Sequence, residues 1–372
     1  MANNRVANVE QVTNAVGGVA LANRAPANVA PVALTAALVQ DAPSFAPARA
    51  ATVTTGPITA LAELDGCLLT ADYAADTVSV RAAHTLGHVA SVGDIYEPSA
   101  IAIAGRRAYV ASVEPAYDTV AVLERAAVIA RIPVHGNIRG IAAGHDGRRV
   151  YALQSSETSM SLGVIDTNTH DVSTVDLVAG PHTVPTAVAV SPSADVVYVA
   201  AVDDTSGVVL AVQDGRVLRV EPIPSMVRDI AVSRDGKTLF AISDDDAFGG
   251  VIDLLDAATL QITGTIEIGD AVGQVSVSAD GERVYVVSGS HVTVLCTSTR
   301  RIVDRIETGT DPVTAVESRD GSLLFVTDYD GNVASRAVTK TSKGKAGKDA
   351  LAEIFDADVI DVPMHELEAA AV

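Results

Sequence analysis

The chain repeats one short phrase. AVSRDGKTLFAIS occupies 231–243, and close variants stand at 189–201 (AVSPSADVVYVAA), 276–288 (SVSADGERVYVVS) and 315–327 (AVESRDGSLLFVT). Fainter versions begin at Ala102 and Ile141. Aligned on the bulky residue of the second apolar run, the copies mark Leu69, Tyr109, Tyr151, Tyr198, Phe240, Tyr285 and Phe325, spaced by 40, 42, 47, 42, 45 and 40 residues. A period in the forties constrains the fold more than any local pattern, because one such unit cannot bury its own apolar faces and must stack on its neighbours.

The unit at 228–272 shows what is being stacked. Asp229–Ser233 alternates as a strand does, RDGK turns the chain with an Asp-Gly corner, and TLFAIS is continuously apolar, as expected of a strand covered on both faces. VIDLL and LQITGTIEI follow, separated by DAAT. Four antiparallel strands per unit, seven units and no intervening helix predict an all-β, seven-bladed β-propeller of four-stranded antiparallel blades.

Composition fits. Hydrophobic residues make up 48% and charged residues 19%, while aromatics are only 3% with no Trp, so the core must be built from branched aliphatics suited to pleated surfaces. A net charge of −20 opposes nucleic acid and anionic membranes. Four of the five lysines (Lys340, Lys343, Lys345 and Lys348) sit in the tail, where a solvated linker explains them. Cys67 and Cys296 read as free buried thiols. No apolar run has the length of a membrane span, and no basic leader precedes AVGGVALA at 15–22, so the expected compartment is the cytoplasm and the expected state a monomer.

Three segments are expected: an arm at 1–49, the propeller at 50–338, and a Lys-rich linker and tail at 339–372. The seventh unit has no clear fourth strand of its own. AATVTTGP (50–57) reads like the outer strand and exit of the sixth unit, DRIETGTDP (304–312), so an N-terminal strand is expected to close the last blade. DALAEIFDADVIDV (349–362) is the alternative closing element.

The pieces PTAVAVSPSADVVYVAA (185–201), SVSADGERVYVVSGSHVTVL (276–295) and YVASVEPAYDTVAVL (109–123) resemble the YVTN-type β-propeller repeat. The resemblance spans about 58–338 and implies a seven-bladed ring in a superfamily of binding proteins that also contains propeller lactonases. Trp-Asp blades need the missing Trp, and sugar-binding propellers use aromatic platforms for which eight Tyr and five Phe leave little.

Two sets of residues are candidates for chemistry. Loops between second and third strands and links between blades share one end of a propeller. The first set lies in those links, which read GPIT, EPSA, NIRG, VPTA, MVRD, AVGQ and DPVT and place Ile58, Ser99, Arg139, Thr186, Arg228, Gly273 and Val313 at one register. Arg139 and Arg228, with His135 and His182 upstream and Asp229 and Gln274 beside them, form a candidate anion site at the axial mouth; pairing of the arginines with Asp229 or other loop carboxylates is the competing reading. The second set is acidic: Asp203, Asp204, Asp244, Asp245, Asp246, Asp328 and Asp330 either hold Ca²⁺ or Mg²⁺ or are turn residues of an acidic protein. No resident cofactor is called for beyond that cation. The sequence carries no G-x-S-x-G, HExxH or C-x-x-C-H motif. The expected function is therefore a non-catalytic binding or scaffold propeller, presenting an acidic loop face and axial funnel to a protein, peptide or small anionic ligand. The alternative is a metal-assisted lactonase or esterase acting in the funnel.

Overall fold

The computed structural model describes residues 49–338 except 55, 116, 157–158, 178–182 and 309–310. The arm before residue 49 and the tail from 339, with its lysines and the 349–362 segment, lie outside the described residues. Between them, twenty-eight described strands form seven antiparallel sheets of four. In each of the first six blades the strands are ordered as in sequence, from an inner strand to an outer one. The inner strands are Ile58–Leu64, Ala100–Ala104, Asn137–Ala143, Val184–Val190, Met226–Val232, Val272–Val277 and Pro312–Glu317. Each packs against the inner strands of the blades before and after it, and the first packs against the last, so the array is a closed ring.

Closure comes from the N-terminal side. The seventh blade contains Pro312–Glu317, Leu323–Asp328 and Asn332–Ala337, and its outer position is taken by Arg49–Thr52, paired antiparallel with Asn332–Ser335. Thr52 Oγ1 donates to Asn332 Oδ1 at 2.7 Å, and Val53 N donates to Gly331 O at 2.8 Å.

The repeated bulky residue explains the ring's cohesion. Seven apolar clusters are found, one at each junction between neighbouring blades. Tyr109, Tyr151, Tyr198, Phe240, Tyr285 and Phe325 each project from the second strand of their own blade into the junction with the next; Leu69 takes this role in blade one. The rings stay between 0 and 6% exposed. Tyrosine suits the position because its polar tip reaches a partner: Tyr198 Oη donates to Ala257 O at 3.0 Å and Tyr285 Oη to Glu317 Oε1 at 3.1 Å, both in the following blade.

The repeated Ser-x-Asp-Gly corner is a local device. Ser233 Oγ donates to Asp235 Oδ1 at 2.6 Å and accepts from Thr238 N at 2.9 Å, while Gly236 adopts φ +71°. Ser278 with Asp280 and Ser318 with Asp320 repeat those bonds in blades six and seven. A residue free to adopt positive φ is needed at that corner, and Asp and Ser satisfy its amides.

Deletion of residues 1–57 removes the outer strand of blade seven and leaves Asn332–Ala337 as an open edge. This truncation is expected to aggregate or lose its cooperative thermal transition in gel filtration and scanning calorimetry, whereas deletion of 1–48, which spares that strand, is expected to fold.

Candidate functional site

The inner strand of a blade has one edge facing the axis, where no strand pairs with it. Its amides need other acceptors. Side chains of the preceding blade supply several of them. Asp229 Oδ1 accepts from Ile230 N at 2.8 Å, and its Oδ2 from Val275 N of blade six at 2.9 Å. Gln274 Oε1 accepts from Ala315 N of blade seven at 3.0 Å, and Asp118 Oδ2 from Ile138 N of blade three at 2.7 Å. Asp229 and Gln274, expected at a ligand site, are thus bonded to the scaffold. Burial pushes Asp229 up to about 6 despite its two amide donors. Burial likewise raises Asp118, against the amide of Ile138.

The inner strands share a second feature that positions the axial side chains. In six blades the ladder to the second strand slips by one residue near its start, at Thr59, Arg139, Thr186, Arg228, Gly273 and Val313. Such a bulge re-aims the side chain of the extra residue. Blade one corrects the sequence alignment by one position, since Ile58 is fully buried in the junction with blade seven and Thr59 is the bulged residue. Thr59 Oγ1 donates to Pro98 O at 2.6 Å. In blade two the strand begins after Ser99, whose amide bonds Ala111 O at 3.1 Å without a bulge.

Arg139 and Arg228 are both exposed at this register, on blades three and five. Their surroundings differ. Arg228 Nε lies 2.7 Å from Asp244 Oδ2, and Asp244 Oδ1 accepts from Val272 N at 3.2 Å, so this cation is paired with a loop carboxylate, though not with Asp229. Arg139 Nε donates to Ser155 Oγ at 3.1 Å. His135 is exposed in the link before Arg139, and His182 lies outside the described residues.

The acidic loops do not converge. Among the described residues no three His, Cys, Asp or Glu side chains are grouped as a metal site. Asp203 is held below the usual carboxylate range by the amides of Thr205 and Ser206 in its own loop. Asp245 is lowered by the Ser225 hydroxyl and by the amides of Ala247 and Phe248. Asp328 accepts from the amide and side chain of Asn332, both at 2.8 Å. Asp204, Asp246 and Asp330 are exposed.

Sequence reading missed the aromatic pattern on this same end of the ring. Six of the eleven described aromatic residues are the junction wedges. The other five, Tyr73, Tyr96, Tyr117, Phe248 and Tyr329, all lie in loops after a second strand or in a link between blades. Tyr96, Tyr117, Phe248 and Tyr329 are 43, 58, 53 and 64% exposed. Tyr73, Tyr96, Tyr117 and Tyr329 belong to the consecutive blades seven, one and two. Acidic side chains accompany them: Tyr73 Oη donates to Glu97 Oε2 at 2.8 Å, and Glu114 pairs with Arg131 at 3.4 Å.

The Asp229 carboxyl gives a pH signature. Folding holds its proton more tightly than the unfolded chain does, where Asp titrates near 3.8. Its contribution is complete below pH 4 and is lost as pH rises to about 6, a decrease of about 3 kcal/mol at most. Asp229→Asn, fixed in the uncharged form, is expected to show a shallower fall in denaturation free energy between pH 4 and 6 than wild type; parallel profiles would contradict the assignment.

Among the described residues, no helix is long and apolar enough to cross a membrane. No family model matches the chain. The seven-bladed beta-propeller protein Rv1057 of Mycobacterium tuberculosis is 34% identical over 327 residues, covering 77% of this chain and 83% of the relative. Similar solved structures are hydrazine synthase of Kuenenia stuttgartiensis (TM-score 0.68, 18% identity, 78% of this chain and 97% of that one) and the Cps50 (Swd1) beta-propeller domain of Myceliophteria thermophila (TM-score 0.65, 16% identity, 79% and 100%). At such identities the structural likeness concerns the fold alone. Seven closed sheets and the mycobacterial relative together place the chain in the seven-bladed β-propeller protein family.

Proposed function

We propose that the protein is a non-catalytic binding module whose loop face engages a protein or peptide partner bearing Lys or Arg side chains. One observation carries the reading: every described aromatic residue that is not a junction wedge lies on the loop face, four of them exposed. Exposed Tyr offers a large apolar surface with a polar tip at low ordering cost, and Tyr and Phe are enriched at protein interfaces. The carboxylates beside the Tyr arc favour a cationic partner, and the ring faces add cation–π attraction. The YVTN-type character of the repeats, a resemblance associated with binding proteins, points the same way. The pairing of Arg228 with Asp244 satisfies one of the two cations that an anionic ligand would need at that part of the mouth.

The test is a titration of labelled Lys/Arg-rich peptides, followed by fluorescence anisotropy at low and high salt. Binding is expected to weaken in 0.5 M NaCl. It should weaken by about tenfold in the double variant Tyr117→Ala, Tyr329→Ala, as the loss of two exposed cation–π contacts implies. Equal affinity of the variant, or preference for Glu-rich peptides, would reject the reading. Turnover of a lactone or ester panel with stoichiometric metal would favour the hydrolase instead.

A further inference from the structure

Six of the seven blades have third and outer strands that are consecutive in sequence, and four of these join them by the same corner. Its residues are Ala83–Leu86 in blade one, Thr167–His170 in blade three, Ala257–Leu260 in blade five and Thr297–Arg300 in blade six. In each, the first residue donates its amide to the carbonyl just before the second strand: Ala83 to Gly66, Thr167 to Arg148, Ala257 to Lys237 and Thr297 to Glu282, at 2.9 to 3.0 Å. The last residue adopts positive φ, between 55 and 63°. This corner folds over the junction with the preceding blade, and where the wedge there is tyrosine it accepts the hydroxyl, as Thr167 does for Tyr109 and Ala257 for Tyr198.

Blades two and four depart from the pattern, each with a two-residue corner: Arg125–Ala126 in blade two, φ +51° and +61°, and Asp214–Gly215 in blade four, φ +49° and +72°. At the junction of blades three and four a cavity of about 220 Å³ opens between Tyr151, Leu162, Val175, Val197 and Val212. The equivalent positions at the junction of blades five and six are Phe240, Ile252, Ile266, Val284 and Leu295. There, beneath the four-residue corner, the space is about 10 Å³. The two places correspond position by position, but Val175 and Val212 stand where the tighter junction has Ile266 and Leu295, so smaller wall side chains and a shorter corner together accompany the larger space.

The cavity has polar groups at its rim. Arg149 and Tyr151 both line it, and the Tyr151 phenol is a group able to donate a hydrogen bond. Asp195, whose carbonyl is the counterpart of the one capped in the four-residue corners, lines the rim, with His145 Nδ1 at 3.5 Å from its carboxylate. Asp195 and Asp214 outnumber Arg149 at the rim, so the pocket carries no net positive charge to hold an anion. An apolar cavity of about 150 Å³ accepts benzene, so about 220 Å³ suits a single ring carrying a short polar group.

We propose that the junction of blades three and four is a binding site for an uncharged, ring-sized molecule with an apolar body and one hydrogen-bond acceptor, seated on Val175 and Val212 and bonded by Tyr151. The site is remote in the fold from the loop face and independent of its role. Acetophenone, benzamide, benzoate, benzylammonium and toluene serve as probes for ligand-observed NMR and thermal-shift measurements on the full chain. Acetophenone and benzamide are expected to bind at millimolar concentration or better and to raise the melting temperature. Tyr151→Phe should weaken acetophenone about fivefold and leave toluene unchanged, a split that general loosening of the junction would not produce. Val175→Phe, which fills the cavity, should reduce binding of every probe at least tenfold. If that variant does not fold, grafting the blade-five corner Ala257–Leu260 in place of Asp214–Gly215 makes the same test. Binding unaltered by the filling change, no binding of any probe to wild type, or preference for benzoate or benzylammonium would overturn the proposal.

Discussion

Each blade is a sheet with two apolar faces and no means of covering either by itself. The wedge at its second strand, aromatic in six blades and Leu69 in the first, must enter the blade ahead, and its other face must receive the wedge from behind. That requirement makes the ring obligatory and places seven clusters at seven junctions. It also makes the N-terminal strand indispensable. Without Arg49–Thr52 the last blade would present an unpaired strand next to the cluster where Phe325 meets Ile58 and Leu68. Ala51 and Val53 pack against that same cluster, so the strand closes the sheet and covers the junction together.

Ring closure imposes a second demand at the axis, where inner strands lie edge-on to open space. Buried amides without acceptors are costly, and the acceptors come from side chains one blade back. Asp229 and Gln274 are therefore parts of the wall, each spanning two blades. A carboxylate in this position must bear desolvation as well as hold two amides, which accounts for its raised pKa. Function is freer to vary where repeats are not bound by such demands, in the loops and at corners whose length differs among blades.

The period, the Asp-Gly corners, the bulky wedge and the closing N-terminal strand were legible because each is set by residues close together in sequence or by a strict repeat. The axial wall was not. Its bonds join residues 41 and 46 positions apart, in different blades, and no local pattern marks Asp229 as an acceptor for Val275. The common register of the links was legible to within one residue, though the bulge itself was not: the reading put Arg139 and Arg228 where the ladder slips, yet took Ile58 for Thr59. Pairing of Arg228 with Asp244 instead of the adjacent Asp229 follows from the same geometry, since a bulge turns the arginine toward the loop while the next residue turns inward. The clustering of exposed aromatics on one face was readable in principle. It required separating six wedge residues from the rest before asking where the others fall.

That separation bears on how a repeat protein acquires binding sites. Thirteen aromatic residues in 372 leave almost none to chance placement, and the junctions consume those of the second strands. Mutation at a wedge opens a cavity between blades, whereas an exposed aromatic in a loop fills no junction. The same logic applies to the outer corners. Beneath the four-residue corners of blades three and five, Tyr109 and Tyr198 bond to backbone, whereas beneath the two-residue Asp214–Gly215 corner of blade four Tyr151 lines a cavity. Departures from the repeat are thus the informative positions. The repeat itself records what every blade must do to remain in the ring, and only a difference between blades can distinguish one part of that ring as a place for a ligand.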